Sequence, residues 1–146
     1  MVLFGVMKAL ATILGAIVLV ASFSSCSSLR SKYGKNERDS AAYLSEKKTT
    51  PARMNIEGLW YSPQWGIVVL KQESGGALSG IFRDDYVVNG VVSDKSAFIT
   101  LIDDDWVEYT VELTRKNRGL LTGFYSPSVP FSQKDANELV LKRVGD

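Results

Sequence analysis

Between Asn55 and Val144, strand-like runs recur about every eleven residues, and no stretch between them is long enough for a crossover helix. That spacing narrows the fold more than any other feature, because a parallel pair needs a connection of a dozen or more residues while an antiparallel pair needs only a tight turn. The runs are Asn55 to Tyr61, Trp65 to Glu73, Ala77 to Asp84, Tyr86 to Ser93, Ser96 to Asp103, Val107 to Thr114, Leu120 to Tyr125 and Glu138 to Val144. The clearest is the sixth, where Val107, Tyr109, Val111 and Leu113 alternate with Glu108, Thr110, Glu112 and Thr114, the period-two pattern of a half-buried strand. Turn chemistry separates the runs at Ser74-Gly75-Gly76, Asp84-Asp85, Asp94-Lys95, Asp103-Asp104-Asp105 and Asn117-Arg118-Gly119. The fold class is therefore all-β. An eight-stranded antiparallel up-and-down β-barrel is the expected architecture, since closure leaves no free edge and an interior just wide enough for side chains or one small ligand.

A weak repeat supports closure. Ile56-Glu57-Gly58-Leu59-Trp60, Leu78-Ser79-Gly80-Ile81-Phe82 and Leu121-Thr122-Gly123-Phe124-Tyr125 all read apolar, any, Gly, any, aromatic, and Val88-Asn89-Gly90-Val91-Val92 is a degenerate fourth copy. Glycine weakens a strand unless a bend or a close neighbour requires it. Gly58, Gly80 and Gly123 are therefore expected to be inward notches on the face of Trp60, Phe82 and Tyr125, making room for coiling and for a neighbouring aromatic ring. Asn89-Gly90 is read as lying within one strand, because a hairpin there would leave two strands of about four residues each.

The first 25 residues differ from the rest. Lys8 is their one charged side chain, an apolar run from Ala9 to Val20 follows, and small residues lead to Cys26, the order of a bacterial export signal. Phe23-Ser24-Ser25-Cys26 resembles the lipobox of bacterial lipoproteins, with Phe23 where that family usually has leucine. The resemblance implies lipidation of Cys26 as the new N-terminus. With Ser27 next, it also implies an outer-membrane lipoprotein facing the periplasm, the inner membrane being the alternative. The competing reading is an uncleaved anchor, since Met1 to Ala21 is about long enough to span a bilayer.

Residues 1–25 are thus expected to be a signal peptide, 26–53 a flexible basic tether and 54–146 the barrel. The tether carries net charge +4 and the barrel −4. The tether is rich in Ser, Lys and Ala with little apolar periodicity, and its charge suits either anionic head groups or plain solvation; a short helix around Ser40 to Lys47 is compatible with it. Nothing in it points to nucleic acid.

Composition limits the chemistry. The chain has no histidine and one cysteine, which removes the usual general base, the commonest metal ligand, thiol-imidazole catalysis, internal disulfides and Cys-rich metal sites. The run Asp103-Asp104-Asp105 lacks the spaced acids and glycine of a calcium loop and is read as a solvated turn. No cofactor or metal is expected, and no nucleophile and base pair is visible, so the chain is read as a non-enzyme.

The opening Gly58-x-Trp60 strand, the hairpin through Gly75-Gly76 and the returning Gly80-x-Phe82 strand resemble the start of avidin and streptavidin and, more loosely, lipocalins, over about thirty residues from Ile56 to Asp84. The resemblance implies a calycin-like barrel. It does not extend to biotin binding, because Ser62, the Trp65-Gly66-Ile67 region and Phe82 stand where that family has its asparagine, serine and tyrosine contacts. A buried urea without those donors loses about 1 to 3 kcal/mol per missing partner.

Most aromatics are expected to fill the core. Trp65 and Trp106, at strand starts, are expected at an exposed rim, and Phe131 ends the proline-stiffened loop Ser126-Pro127-Ser128-Val129-Pro130-Phe131; these three are the candidate ligand or partner contacts. The favoured function is a lipid-anchored binding or interaction module meeting a protein partner in the cell envelope. The alternative is a lipocalin-like carrier of a small apolar ligand, which requires a void of a few hundred cubic ångströms.

Overall fold

The computed structural model describes residues 36–145. Eight strands, β1 (Gly58–Ser62), β2 (Gly66–Gln72), β3 (Ala77–Phe82), β4 (Tyr86–Ser93), β5 (Ser96–Asp103), β6 (Trp106–Asn117), β7 (Leu120–Ser126) and β8 (Asn137–Arg143), pair antiparallel in chain order and close into a barrel. β4 runs unbroken through Asn89-Gly90. The turns suit their sequences: Arg83, Asp94, Asp104 and Asp105 take positive φ, and aspartate tolerates that region better than most residues. The acidic run 103–105 is therefore a strand end and hairpin turn. Among the described residues no group of three acidic, Cys or His side chains is placed to hold a metal.

Period two puts alternate residues inside. Ile56, Trp60, Val68, Phe82, Ile99, Leu101, Val111, Leu121, Leu139 and Leu141 expose no surface at all, so none of them borders a void that admits a water-sized sphere. Burying one such side chain contributes about 1.5–3 kcal/mol, which makes this packed interior the main source of stability.

The seam between β1 and β8 is short, with Trp60 opposite Arg143 and Tyr61 opposite Lys142. Arg143 reinforces it. Its guanidinium lies 4.4 Å from the Trp60 ring centre, its Nη1 donates to Glu57 O at 3.0 Å and its Nε to Arg118 O at 3.1 Å. A cation over an indole face is attracted by the ring quadrupole, so one side chain ties three segments at this end.

The strand glycines are notches of a different kind from the one expected: at Gly58 the neighbour is the Arg143 guanidinium, and at Gly80 and Gly123 it is backbone. A Cβ on Gly80 would lie 1.9 Å from Val69 O and one on Gly123 1.8 Å from Glu112 O. The space is filled by the backbone of the adjoining strand, not by an aromatic ring. Gly80 also has φ +140, a conformation costly for any other residue.

The stretch expected to be a flexible tether is corrected over residues 36–53. Residues 36–47 are helical, with Ser40 and Tyr43 buried against the barrel, and the folded unit begins at Asn36 rather than Met54. Tyr43 Oη donates to Glu112 Oε1 at 3.0 Å and its ring meets Phe98 edge-on at 6.4 Å. Lys47 Nζ pairs with the same carboxylate at 3.7 Å and sits 5.1 Å from the Phe98 ring centre. Beyond the helix, Thr50 N donates to Ser93 Oγ, and Arg53 N and Asp94 N exchange bonds with Asp94 O and Pro51 O. The inward face combines Tyr43 and Leu44 with Asn36, Ser40 and Lys47, too few apolar residues to show as a stripe in the sequence.

Candidate interaction surface

Outside the barrel, period two leads to two different surfaces. On β5 and β6 the outward residues Thr100, Val107 and Thr110 are buried, because the helical segment and the 127–136 loop lie over them: Asn36 Nδ2 donates to Val107 O at 3.4 Å, and Thr110 Oγ1 to Ser128 O at 2.8 Å. On β1 to β4 the outward residues Leu59, Tyr61, Ile67, Val69, Ile81 and Val87 are large, apolar and exposed.

Register makes these six one surface. Leu59 stands opposite Val69, Val69 opposite Ile81, and Ile81 opposite Val87, while Tyr61 faces Ile67 in the next row. At about 4.8 Å between strands, the first row is roughly 15 Å wide. Isolated exposed hydrophobics are ordinary, whereas contiguity makes this wall the candidate interaction surface. The sequence reading missed it because the alternation rule expects polar residues on an outer face. The signal was present in the unbroken apolar runs Ile67-Val68-Val69-Leu70 and Tyr86-Val87-Val88, where both faces of the strand are apolar. The pattern is also unlike that of a membrane-spanning barrel, which has a polar lumen and strands of about 9–11 residues. Here the lumen is packed with leucine and isoleucine, and every strand but β6 has eight residues or fewer.

Of the expected contact residues, Trp65 is corrected. It is 6% exposed, folded inward by the β1–β2 turn, where Ser62 Oγ accepts from the N–H groups of Gln64 and Trp65. Its indole plugs one end of the barrel, edge-on to Phe82, Tyr86, Tyr109 and Tyr125 at 5.2 to 5.9 Å between ring centres. Aromatic pairs in this T-shaped arrangement contribute about 0.5–1.5 kcal/mol each beyond area burial. That offsets the unpartnered indole Nε1, one of two such buried atoms among the described residues.

Arg83 closes this end from outside. Its guanidinium lies 5.8 and 5.3 Å from the Trp65 and Tyr86 ring centres and pairs with Asp85 at 3.0 Å. The hydrogen bond from Arg83 holds the Asp85 carboxyl below its usual range. Burial, reinforced by its bond to Glu108 Oε2, pushes the Tyr86 hydroxyl up to about 12.

Trp106 is 39% exposed at the start of β6 and Phe131 is half-buried in the β7–β8 loop. Topology puts both at the Trp65 end, yet neither belongs to the apolar rows on β1 to β4. Asp135 anchors the loop by accepting from Ser126 Oγ at 2.7 Å and from Ser128 Oγ, and these two hydroxyls depress its carboxyl. Cys26 lies outside the described residues, among which no helix is long and apolar enough to cross a membrane. No family model, curated protein or solved structure matches this chain.

Proposed function

We propose that this protein is a lipid-anchored interaction module of the bacterial cell envelope, attached through Cys26 and binding a protein partner by the apolar outer wall of β1 to β4. The observation carrying this reading is the pair of registered rows around Leu59, Val69, Ile81 and Val87, bare on a barrel whose opposite wall its own chain covers. An apolar wall of that extent gains most from excluding water against a complementary face. The lipobox-like Phe23-Ser24-Ser25-Cys26, with Ser27 next, supports an outer-membrane lipoprotein facing the periplasm, and the Gly-x-Trp and Gly-x-Phe strands support a calycin-like relationship. Catalysis has no support in the residues: the chain contains no histidine, and its acids lie mainly in turns and ion pairs.

The carrier reading is weaker. The largest interior side chains, from Trp60 and Phe82 to Leu139 and Leu141, are fully buried, Trp65 plugs one end, and Arg143 stacked on Trp60 caps the other. A ligand would have to displace packed core.

A photo-crosslinking residue placed at Ile81 or Val87 of the full chain in cells tests the proposal. Discrete protein adducts from both positions are expected, with none from Lys95, and the Val87 adduct is expected to disappear when Val69→Lys is added. Adducts from Lys95 alone, or from no wall position, contradict it. For the anchor, Cys26→Ser should abolish fatty-acid labelling; undiminished labelling refutes it.

A further inference from the structure

At the end of the barrel opposite Trp65, the β6–β7 turn and the residues after β8 border an open cleft of about 530 Å³ lined by Arg115, Arg118, Gly119, Arg143 and Gly145. Three guanidiniums on one small cleft repel one another, and proteins normally offset this with carboxylates. Here the ion pairs among the described residues are Lys47–Glu112, Arg53–Asp94 and Arg83–Asp85; none involves these arginines.

Their bonds instead go to backbone carbonyls. Arg143 donates to Glu57 O and Arg118 O, and Arg115 Nη2 to Asn55 O at 2.5 Å. Arg115 Nε is buried with no acceptor, the second orphaned polar atom among the described residues. Leaving a buried donor of a charged group unmet is costly, so each such donor asks for a partner. Arg143 has a structural role on Trp60, and Arg115 is partly committed to Asn55. Arg118 differs: its backbone carbonyl is used, while its guanidinium has no bond or ion pair within the described fold.

We propose that this cleft is a phosphate-binding site, taking a phosphorylated ligand whose anionic group is held by the guanidiniums of Arg115, Arg118 and Arg143. The planar N–H fork of arginine matches phosphate oxygens two at a time, and the fork of Arg118, beside the donors that Arg115 and Arg143 have not given to carbonyls and with no ion pair among the described residues, suits a multivalent group over a single carboxylate. The free phosphate of a soluble compound and the phosphate of a lipid head group present the same chemistry. This site is separate from the apolar wall, and its outcome does not depend on the interaction-module reading.

The test is NMR titration of the arginine Nε–Hε resonances of the full chain in detergent. The probes are inorganic pyrophosphate, monomeric short-chain phosphatidic acid and acetate. Saturable shifts with both phosphates are expected, weakened at least tenfold in Arg118→Gln and in Arg115→Gln and unchanged in Lys95→Gln. The urea midpoint of Arg118→Gln should equal that of the parent, because its side chain supports nothing else. Tighter binding of phosphatidic acid than pyrophosphate assigns the site to a head group, and the reverse order to a soluble phosphate. Absence of saturation, equal binding of acetate, or undiminished binding in Arg118→Gln overturns the proposal.

Discussion

The outer wall of β5 and β6 and that of β1 to β3 both carry residues that would gain from leaving water, yet only the first has chain folded over it. β4 holds the border. Val87, near its start, is 54% exposed in the bare rows, while Val91, four residues on, is 6% exposed beside the helical segment, whose Ala41 and Leu44 share a groove with it. Two residues of one type on one face of one strand thus have different surroundings, and the difference lies in what the rest of the chain places over them. Burial by the chain's own helix makes an apolar outer residue part of the fold, whereas continued exposure leaves it available to another molecule.

Removing the cover is the strongest way to break this comparison. A chain truncated to begin at Met54 keeps every strand but loses Tyr43 and the bonds to Ser93 and Glu112. It should be destabilised by more than about 3 kcal/mol, the scale of deleting one large buried aromatic. Urea unfolding against a chain beginning at Asn36 reads this; equal midpoints would mean that residues 36–53 are only a tether.

The next test asks whether the two halves share one interior. Gly80→Val on β3 and Gly123→Val on β7 each drive a side chain into the neighbouring carbonyl, and each should cost at least about 2 kcal/mol. A neutral result at either position, read by thermal unfolding, would show that the strands there can move apart.

A smaller effect sharpens the covered side. Tyr43→Phe removes the bond to Glu112 and should cost about 1 kcal/mol at neutral pH. Burial, then the charge of Glu112, pushes the Tyr43 hydroxyl up, while an unfolded tyrosine ionises near 10. The stability that the neutral phenol contributes is therefore complete below pH 10 and lost as pH rises beyond it. Tyr86, pushed up to about 12, adds a loss of the same sign between pH 10 and 12. Alkaline unfolding curves should accordingly be shallower for Tyr43→Phe than for wild type, and identical slopes would remove Tyr43 from the account.

How legible each region was follows from the same contrast. The strands could be read because their inner faces obey period two: β4 and β5 begin and end where the pattern places them, β1 and β7 run one residue past their expected ends, and β6 runs three past the expected Thr114 to Asn117. The covering helix was obscured because Asn36, Tyr43 and Lys47 bind the wall by hydrogen bonds, a ring edge and a charge, none of which produces an apolar stripe. The bare wall was obscured for the opposite reason, since its residues look like core. Ile67 and Val69 differ from Val68 and Leu70 only in the side of the sheet they occupy, which depends on register. Trp65 was misplaced because a strand-start position does not specify which way a turn folds. Ser62, accepting from two backbone N–H groups of that turn, directs the indole inward.

The covered wall belongs to the fold, and the bare wall is the surface proposed for a partner. The most direct measurement compares the urea midpoints of Ile81→Lys and Val91→Lys in the same chain. Ile81→Lys should cost less than about 1 kcal/mol, the range of strand-propensity effects on an open face. Val91→Lys should cost about 2 kcal/mol or more, because it puts a charge under the helix. Equal costs at the two positions would contradict the division.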